Sequence, residues 1–351
     1  MISANWVAGA IALLCVLICT PVVRAICRRW NLYDSNGSLN IHVGQIPRLG
    51  GVSIAVGLIA GVLVGGPRSM NLGVAGCLAA LALIWLTGLV DDTLGLSPVL
   101  RFGAQIGAGV LLSLAGWNLP IAVSRIASAA IICGIVVLFT NALNFLDGSD
   151  GLAAGTAAII ASAYICAYGI DARSSGAILG WSLLGASVGF LAYNFPPAKI
   201  FMGDSGSTFL GFCIAFLGID FLSSRPLEPV GTRWIFPILV AAVPIVDGIL
   251  VVVRRISRGA SAFQGDRFHG YDRLLARGWS SRTVAFACYA ITLLAAAIAL
   301  RTVGRSGATV TIFLIAGTMA AALAGIDRLR VASPRAQRSG GDTGGEFFTS
   351  K

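Results

Sequence analysis

The chain has 351 residues, of which 56% are hydrophobic and 11% charged, at a mean hydropathy of +0.85; a soluble domain carries about 25% charged residues. So little polar surface cannot cover a water-soluble globule. The formal charge of +10 is divided among many loops rather than gathered in one stripe, which argues against a nucleic-acid face.

Predominantly apolar runs of about 20 residues recur along the chain, each long enough to cross a hydrocarbon core of ~30 Å. In chain order the predicted spans lie at 5–23, 49–65, 71–90, 101–116, 121–140, 152–169, 177–193, 206–222, 234–253, 283–300 and 307–325. The first has no basic stretch ahead of it and Arg24, Arg28 and Arg29 behind it, so it reads as a retained helix rather than a cleaved leader. Connections are short and rich in Gly, Pro, Asn and Asp, as helix ends require. The longest internal connection runs from Arg254 to Arg282. Seven of the eight cysteines fall inside apolar runs, and no Cys/His group has zinc-ligand spacing, so they read as small packing residues. The expected architecture is all-α and polytopic, with about 11 transmembrane helices in one membrane domain over 1–330. A polar, Gly-rich and disordered cytoplasmic tail over 331–351 follows it.

Eleven spans put alternate loops on opposite faces. Eighteen Lys and Arg residues then fall on one face and seven on the other, which makes the first face cytoplasmic and places the N-terminus outside. Four polar sequences interrupt the apolar background: GLVDDTLGLSP (88–98), NALNFLDGSDGL (141–152), NFPPAKIFMGDSGS (194–207) and GDRFHGYDRLLARG (265–278). All four fall on the predicted cytoplasmic side, as do His42 and His269, and this points to one shared site.

Each motif has a plain reading beside a chemical one. Asp91 and Asp92 are either a solvated helix terminus or a magnesium or general-base site, since magnesium takes hard oxygen ligands together with substrate phosphates. Asn141, Asn144, Asp147 and Asp150 put four amides and carboxylates within ten residues, more than a single cap needs, although Asp150 alone could be the N-cap of the next helix. Asp204 stands between glycine-rich neighbours just before an apolar run, where it either caps that helix or holds a cation at an anion-friendly helix start. Phe201 is either an interfacial aromatic or a base-stacking one. Arg101 is a membrane anchor or a phosphate ligand. Arg267 and His269, amid Gly265, Asp266 and Gly270, suit an anionic ligand better than the other arginines of their basic loop do.

Taken in order, these residues resemble the polyprenyl-phosphate N-acetylhexosamine-1-phosphate transferase family, over roughly residues 40–280 and including HVGQIPRLGG (42–51). The resemblance implies transfer of a HexNAc-1-phosphate from a UDP-N-acetylhexosamine to polyprenyl (undecaprenyl) phosphate, releasing UMP, with Mg2+ (Mn2+ as a substitute) as cofactor. It places the enzyme in the inner (plasma) membrane, with its site on the cytoplasmic face and a homodimer among the assemblies it allows. On this resemblance Asp91, Asp92 and Asp204 match the family's catalytic carboxylates, and Asn144 and Asp204 match positions implicated in magnesium binding. Asn141, Asp147 and Asp150 belong to the polar run near the nucleotide, and Phe201 matches the aromatic that stacks on uracil. Arg101 matches a basic position for the carrier phosphate, and Arg267 and His269 match the loop that reads diphosphate and sugar. Many relatives cluster two or three histidines in that loop, where only His269 stands here. The departure points away from the muramoyl-pentapeptide branch and toward the O-antigen or general HexNAc branch.

Two rivals predict different residues. A transporter would carry ionisable groups near the midplane of its spans, whereas the apolar runs here hold little beyond Asp220 and Asp247, both close to span ends. A CDP-alcohol phosphotransferase would follow its Asp-Gly with Ala-Arg, and NFLDGSDGLAAG has no arginine.

Overall fold

The computed structural model describes residues 4–33, 46–66, 71–119, 124–170, 174–224, 230–259 and 269–303. His42, Arg267, the predicted span at 307–325 and the tail at 331–351 lie outside the described residues. The described chain is helical: α1 (Ala4–Arg29), α2 (Gly50–Gly65), α3 (Leu72–Leu94), α4 (Pro98–Leu114), α5 (Arg125–Leu146), α6 (Leu152–Tyr168), α7 (Ser175–Asn194), α8 (Asp204–Ser223), α9 (Val230–Val240), α10 (Ala242–Ser257), α11 (Gly270–Ala276) and α12 (Ser281–Thr302).

Short polar residues start many of these helices. The side chains of Asn71, Ser97, Ser124, Ser174 and Ser280 accept the N–H of Val74, Leu100, Ala127, Ala177 and Thr283 respectively. Each thereby satisfies an amide that the first turn leaves without a helical partner. Pro98 occupies the first position of α4, where its missing N–H costs nothing.

Among the described residues six helices (α1, α3, α5, α7, α8 and α12) are long and apolar enough to cross a membrane. A seventh crossing would be the broken pair Trp234–Val240 and Ala242–Ser257, bent by 75°. The sequence predicted one span there, over 234–253. Pro244 offers no N–H to the carbonyl of Val240, so the helical ladder cannot run through the junction. Helices α2, α4 and α6 are shorter and apolar. The protein is therefore an all-α polytopic membrane protein.

Helix α8 is the central pillar, with its whole apolar window buried, whereas the corresponding window of α3 is only 22% buried. It packs against α5, α3, α2, α6 and α7. Trp6, Leu14, Ile18, Leu86, Leu114, Val253 and Ile291 are exposed on outer helix faces, as expected where lipid rather than water is the solvent. Small residues let the inner helices touch: a Cβ at Gly185 of α7 would run into the backbone of Gly9 in α1.

Candidate active site

Helix ends assemble the site. The predicted spans end too early at two places that matter. Helix α3 runs on to Leu94 and α5 to Leu146, so Asp91, Asp92 and Asn144 sit in last turns, and Asn141 one turn earlier, rather than in loops. A last turn faces the bundle on one side and the interface on the other, so polar side chains there cost little and the helix continues through them.

Asp204 is the hub. It is the first residue of α8 rather than its cap; the N-cap is Gly203, which has no side chain to offer. Arg101 Nη1, from the first turn of α4, lies 2.8 Å from Asp204 Oδ2 and 2.9 Å from Asp91 Oδ2, bridging the two carboxylates. Asn144 Nδ2 donates to Asp204 Oδ1 at 2.9 Å and to Ser207 Oγ at 3.0 Å. The second oxygen of Asp91 accepts the Leu96 N–H at 2.6 Å, which folds the α3–α4 turn over the carboxylate.

Asp92 does a different job. Its Oδ1 accepts the Asp204 N–H at 2.8 Å, and its Oδ2 accepts the Ser205 N–H at 2.9 Å and the Ser205 hydroxyl at 2.6 Å. These are the orphan amides of the first turn of α8, so a carboxylate from α3 caps α8 from outside, where negative charge also suits the helix dipole. The side chain of Asp92 is 0% exposed. Gly203 makes the approach feasible: its φ is +70° and a Cβ there would collide with the Asp92 carboxylate. Gly88, one turn earlier on α3, presses on the Ser205 backbone in the same way.

Arg48 completes the charge pattern; it lies in HVGQIPRLGG (42–51), a sequence that carries part of the resemblance, but it was not singled out as a site residue. Its Nη2 lies 3.0 Å from Asp92 Oδ1 and 4.0 Å from Asp204 Oδ1. The backbone holds it there. Phe201 N–H donates to Pro47 O, and the N–H groups of Gly50 and Gly51 donate to the carbonyls of Phe201 and Met202, at 2.8–2.9 Å. The PRLGG and IFMG sequences are thus zipped together beside the start of α8. Between them Leu49 adopts φ 85°, a left-handed conformation uncommon for a non-glycine residue. The available signal was the pairing of the two motifs, which only the folded chain reveals.

The remaining predicted residues divide. Asp147, the C-cap of α5, is half-buried; burial, then the negative charges of Asp204 and Asp92, push its carboxyl well above the ordinary range. Asp150 is 5% exposed and its Oδ2 accepts the Ala198 N–H at 2.9 Å. It does not cap α6, whose N-cap is Gly151, but fastens the turn after α7. Asn141 donates to Gln105 Oε1 at 2.7 Å. With Arg101, Gln105, Asn144, Phe145 and Arg255 it lines a cavity of about 60 Å3 between α4, α5 and α10. Arg255 was read as an ordinary loop residue; it lies in the last turn of α10, 4% exposed, with its guanidinium 5.1 Å from the Phe145 ring centre. His269, ahead of the unpredicted helix α11, is buried near Phe145. Phe201 is half-buried, and Arg267 lies outside the described residues. Among the described residues no three His, Cys, Asp or Glu side chains form a ready-made metal cage.

Three carboxylates, two arginines and an amide at the helix ends of a membrane bundle define a class: a polytopic membrane enzyme built to handle anionic groups at the bilayer surface. The sequence model of the family described as "Glycosyl transferase family 4" matches residues 74–222. A probable undecaprenyl-phosphate N-acetylglucosaminyl 1-phosphate transferase of Bacillus subtilis is 34% identical over 299 residues, covering 81% of each chain. A decaprenyl-phosphate N-acetylglucosaminephosphotransferase of Mycobacterium leprae is 32% identical, covering 80% of this chain and 79% of its own. An undecaprenyl-phosphate alpha-N-acetylglucosaminyl 1-phosphate transferase of Escherichia coli K12 is 28% identical, with coverages of 79% and 77%. The chain belongs to the polyprenyl-phosphate N-acetylhexosamine-1-phosphate transferase family.

Proposed function

We propose that the protein transfers HexNAc-1-phosphate from a UDP-N-acetylhexosamine to polyprenyl phosphate. UMP leaves, and a lipid-linked diphosphate sugar forms for cell-envelope polysaccharide synthesis. The relatives' names support the reaction and make N-acetylglucosamine the first donor to test. The observation that carries the reading is the Asp91–Arg101–Asp204–Asn144 array at the helix ends, where a soluble nucleotide can meet an acceptor held in the bilayer.

Both substrates are anionic and repel each other until their charge is met. Arg48 and Arg101 supply fixed positive charge on either side of Asp204. In this scheme they hold and orient the phosphate groups, with Arg101 serving the acceptor. Asp91 positions the acceptor phosphate or takes its proton. Asp92 keeps the first turn of α8 in place, and so sets where Asp204 stands. The cofactor fits the donor set: Asn144 is hydrogen-bonded to Asp204 at 2.9 Å, and Asp204 Oδ2 and Asp91 Oδ2 lie within 2.9 Å of the same Arg101 nitrogen. An amide and two carboxylates thus stand together, hard-oxygen groups of the kind magnesium takes alongside substrate phosphates. Asp204 and Asn144 would hold Mg2+, which when bound neutralises the donor diphosphate and the departing UMP.

The proposed topology has eleven crossings. Helices α2, α4 and α6, of 16, 17 and 17 residues, span about 24–26 Å and can cross with local thinning of the bilayer. The pair α9–α10 and residues 307–325 supply the last ones. The excess of basic residues on one face supports a site on the cytoplasmic side and an N-terminus outside. A cysteine introduced at Gly95, in a background without native cysteines, should label only from the cytoplasmic side; labelling from outside would overturn this orientation.

The decisive experiment gives the purified protein polyprenyl phosphate, Mg2+ and a panel of UDP-HexNAc donors, and detects UMP together with lipid-linked product. Absence of both products with every donor would sink the reading.

A further inference from the structure

Helix α11 is fastened to the bundle by a carboxylate for which the transfer scheme has no use. Asp247 is the one acidic residue of α10. Its Oδ1 accepts the Gly270 N–H at 2.8 Å, and its Oδ2 stands 3.0 Å from His269 Nδ1. The His269 ring also stacks on Tyr271, with centroids 5.0 Å apart and planes 12° from parallel. Tyr271 in turn donates its hydroxyl to the Phe145 carbonyl at 3.1 Å. The backbone N–H of His269 donates to the Asp272 carboxylate at 3.1 Å. The ring is therefore held at its edge, on its face and through its own backbone, and the side chain is only 7% exposed. Its centre is 5.7 Å from that of Phe145, the residue next to Asn144, so it lies beside the α5 end of the site.

Among the described residues the His269 side chain has two partners, the Asp272 N–H of the capping box at the start of α11 and the Asp247 carboxylate 3.0 Å from Nδ1. An ionised carboxylate only accepts hydrogen bonds, so the Asp247 contact is a hydrogen bond when Nδ1 carries the hydrogen. In a neutral ring this leaves Nε2 as a lone pair. A lone pair repels phosphate oxygens and attracts a hydroxyl or amide hydrogen. We propose that Asp247 is a positioning residue that fixes the tautomer of His269, so that Nε2 accepts a hydrogen bond from a hydroxyl or the amide N–H of the donor's sugar. The diphosphate is left to the arginines. The identity of the ligand rests on the transferase reading above; the state of the ring does not.

Asp247→Asn separates this role from simple fastening. Its amide keeps an oxygen for the Gly270 N–H but turns an NH2 group toward Nδ1, which drives the ring to the opposite tautomer. The full-length protein, labelled with 15N-histidine in detergent, has two histidines, and His42→Gln assigns their signals. At about pH 8, His269 should carry its proton on Nδ1 in the wild type and on Nε2 in Asp247→Asn. In kinetics, the substitution should raise KM for the nucleotide sugar about tenfold, the worth of one good hydrogen bond, and leave KM for the lipid acceptor unchanged. In a His269→Ala background the same substitution should change the donor KM by less than about twofold, because Asp247 acts through the ring. A wild-type ring protonated on Nε2, or an equal donor KM cost in both backgrounds, would overturn the proposal. Failure of every donor to react would strike at the transferase reading instead, and the tautomer result would still decide the positioning role.

Discussion

Helix α8 carries an aspartate near each end, and the two show how differently a bundle can treat a buried acid. Asp204 and Asp220 are separated by about 24 Å of helix. Asp220 is 6% exposed and accepts the Tyr168 hydroxyl at 2.6 Å and the Gly176 N–H at the start of α7. A Cβ at Gly176 would collide with that carboxylate. Among the described residues none of its contacts is a cation. At the other end Asp91, Asp92 and Asp204 are linked through Arg48 and Arg101, and the charges of Asp92 and Asp204 also reach Asp147. A solitary acid satisfied by hydrogen bonds ties helices together. Several acids crowded around two arginines repel one another, and a fold keeps such an arrangement where the chemistry needs charge. Burial does not distinguish the two ends; the number of like charges does.

That contrast can be broken by substitution. The largest effect should come from Asp204→Asn, with turnover falling on the order of a hundredfold while the melting temperature in detergent stays within about 2 °C. Excess Mg2+ should restore part of the activity, since a weakened site still fills by mass action. Near-wild-type UMP release at limiting Mg2+ would move the metal role to Asp91 and Asn144. Arg101→Ala should raise KM for polyprenyl phosphate about tenfold and KM for the nucleotide sugar far less; an unchanged lipid KM would leave Arg101 as an anchor. At the far end, Asp220→Asn should cost about 1–2 kcal/mol of stability, seen as a lower melting temperature, with the folded protein turning over normally. Loss of turnover in folded protein would erase the distinction between the ends.

Asp147→Asn should have the smallest effect on stability, and in the opposite direction. The folded protein holds this carboxyl above its ordinary range, so ionisation disfavours the folded state. The gain from Asn should be absent below about pH 4, where the acid is protonated in both states. It should grow as pH rises through the raised folded value, and reach about 1–2 °C in melting temperature. A loss of stability at neutral pH would show that the charged form is the one the fold prefers.

Much of this was legible because apolar runs and short polar punctuation carry their meaning locally. The first eight predicted spans each correspond to a helix of the bundle, and the four polar motifs were expected to meet. Partnerships between distant residues were not legible. Capping the helix that follows was one reading of Asp150, yet it accepts the Ala198 N–H beyond the end of the neighbouring helix α7. For Asp204, capping its own helix was one of two readings, yet Asp92 supplies that function from α3. Arg48 was hidden because its placement depends on a backbone pairing between two loops about 150 residues apart. Helix α11 was missed because it is a short amphipathic turn inside a basic loop, with too few apolar residues to show a period.

The adjacent aspartates of α3 set a limit on how this helix can change length. Neighbouring residues on a helix point about 100° apart, so Asp91 addresses α4 through Arg101 while Asp92 addresses α8 through Ser205. The doublet is two separate addresses written side by side. Deleting or inserting one residue between the Asn71 cap and Asp91 would rotate both, handing one carboxylate the direction of the other and leaving the first turn of α8 without its cap. The outer face of α3 can drift freely in composition, since lipid asks only that it be apolar. Its register cannot drift, so a point substitution in this helix should be far better tolerated than a single-residue change in length.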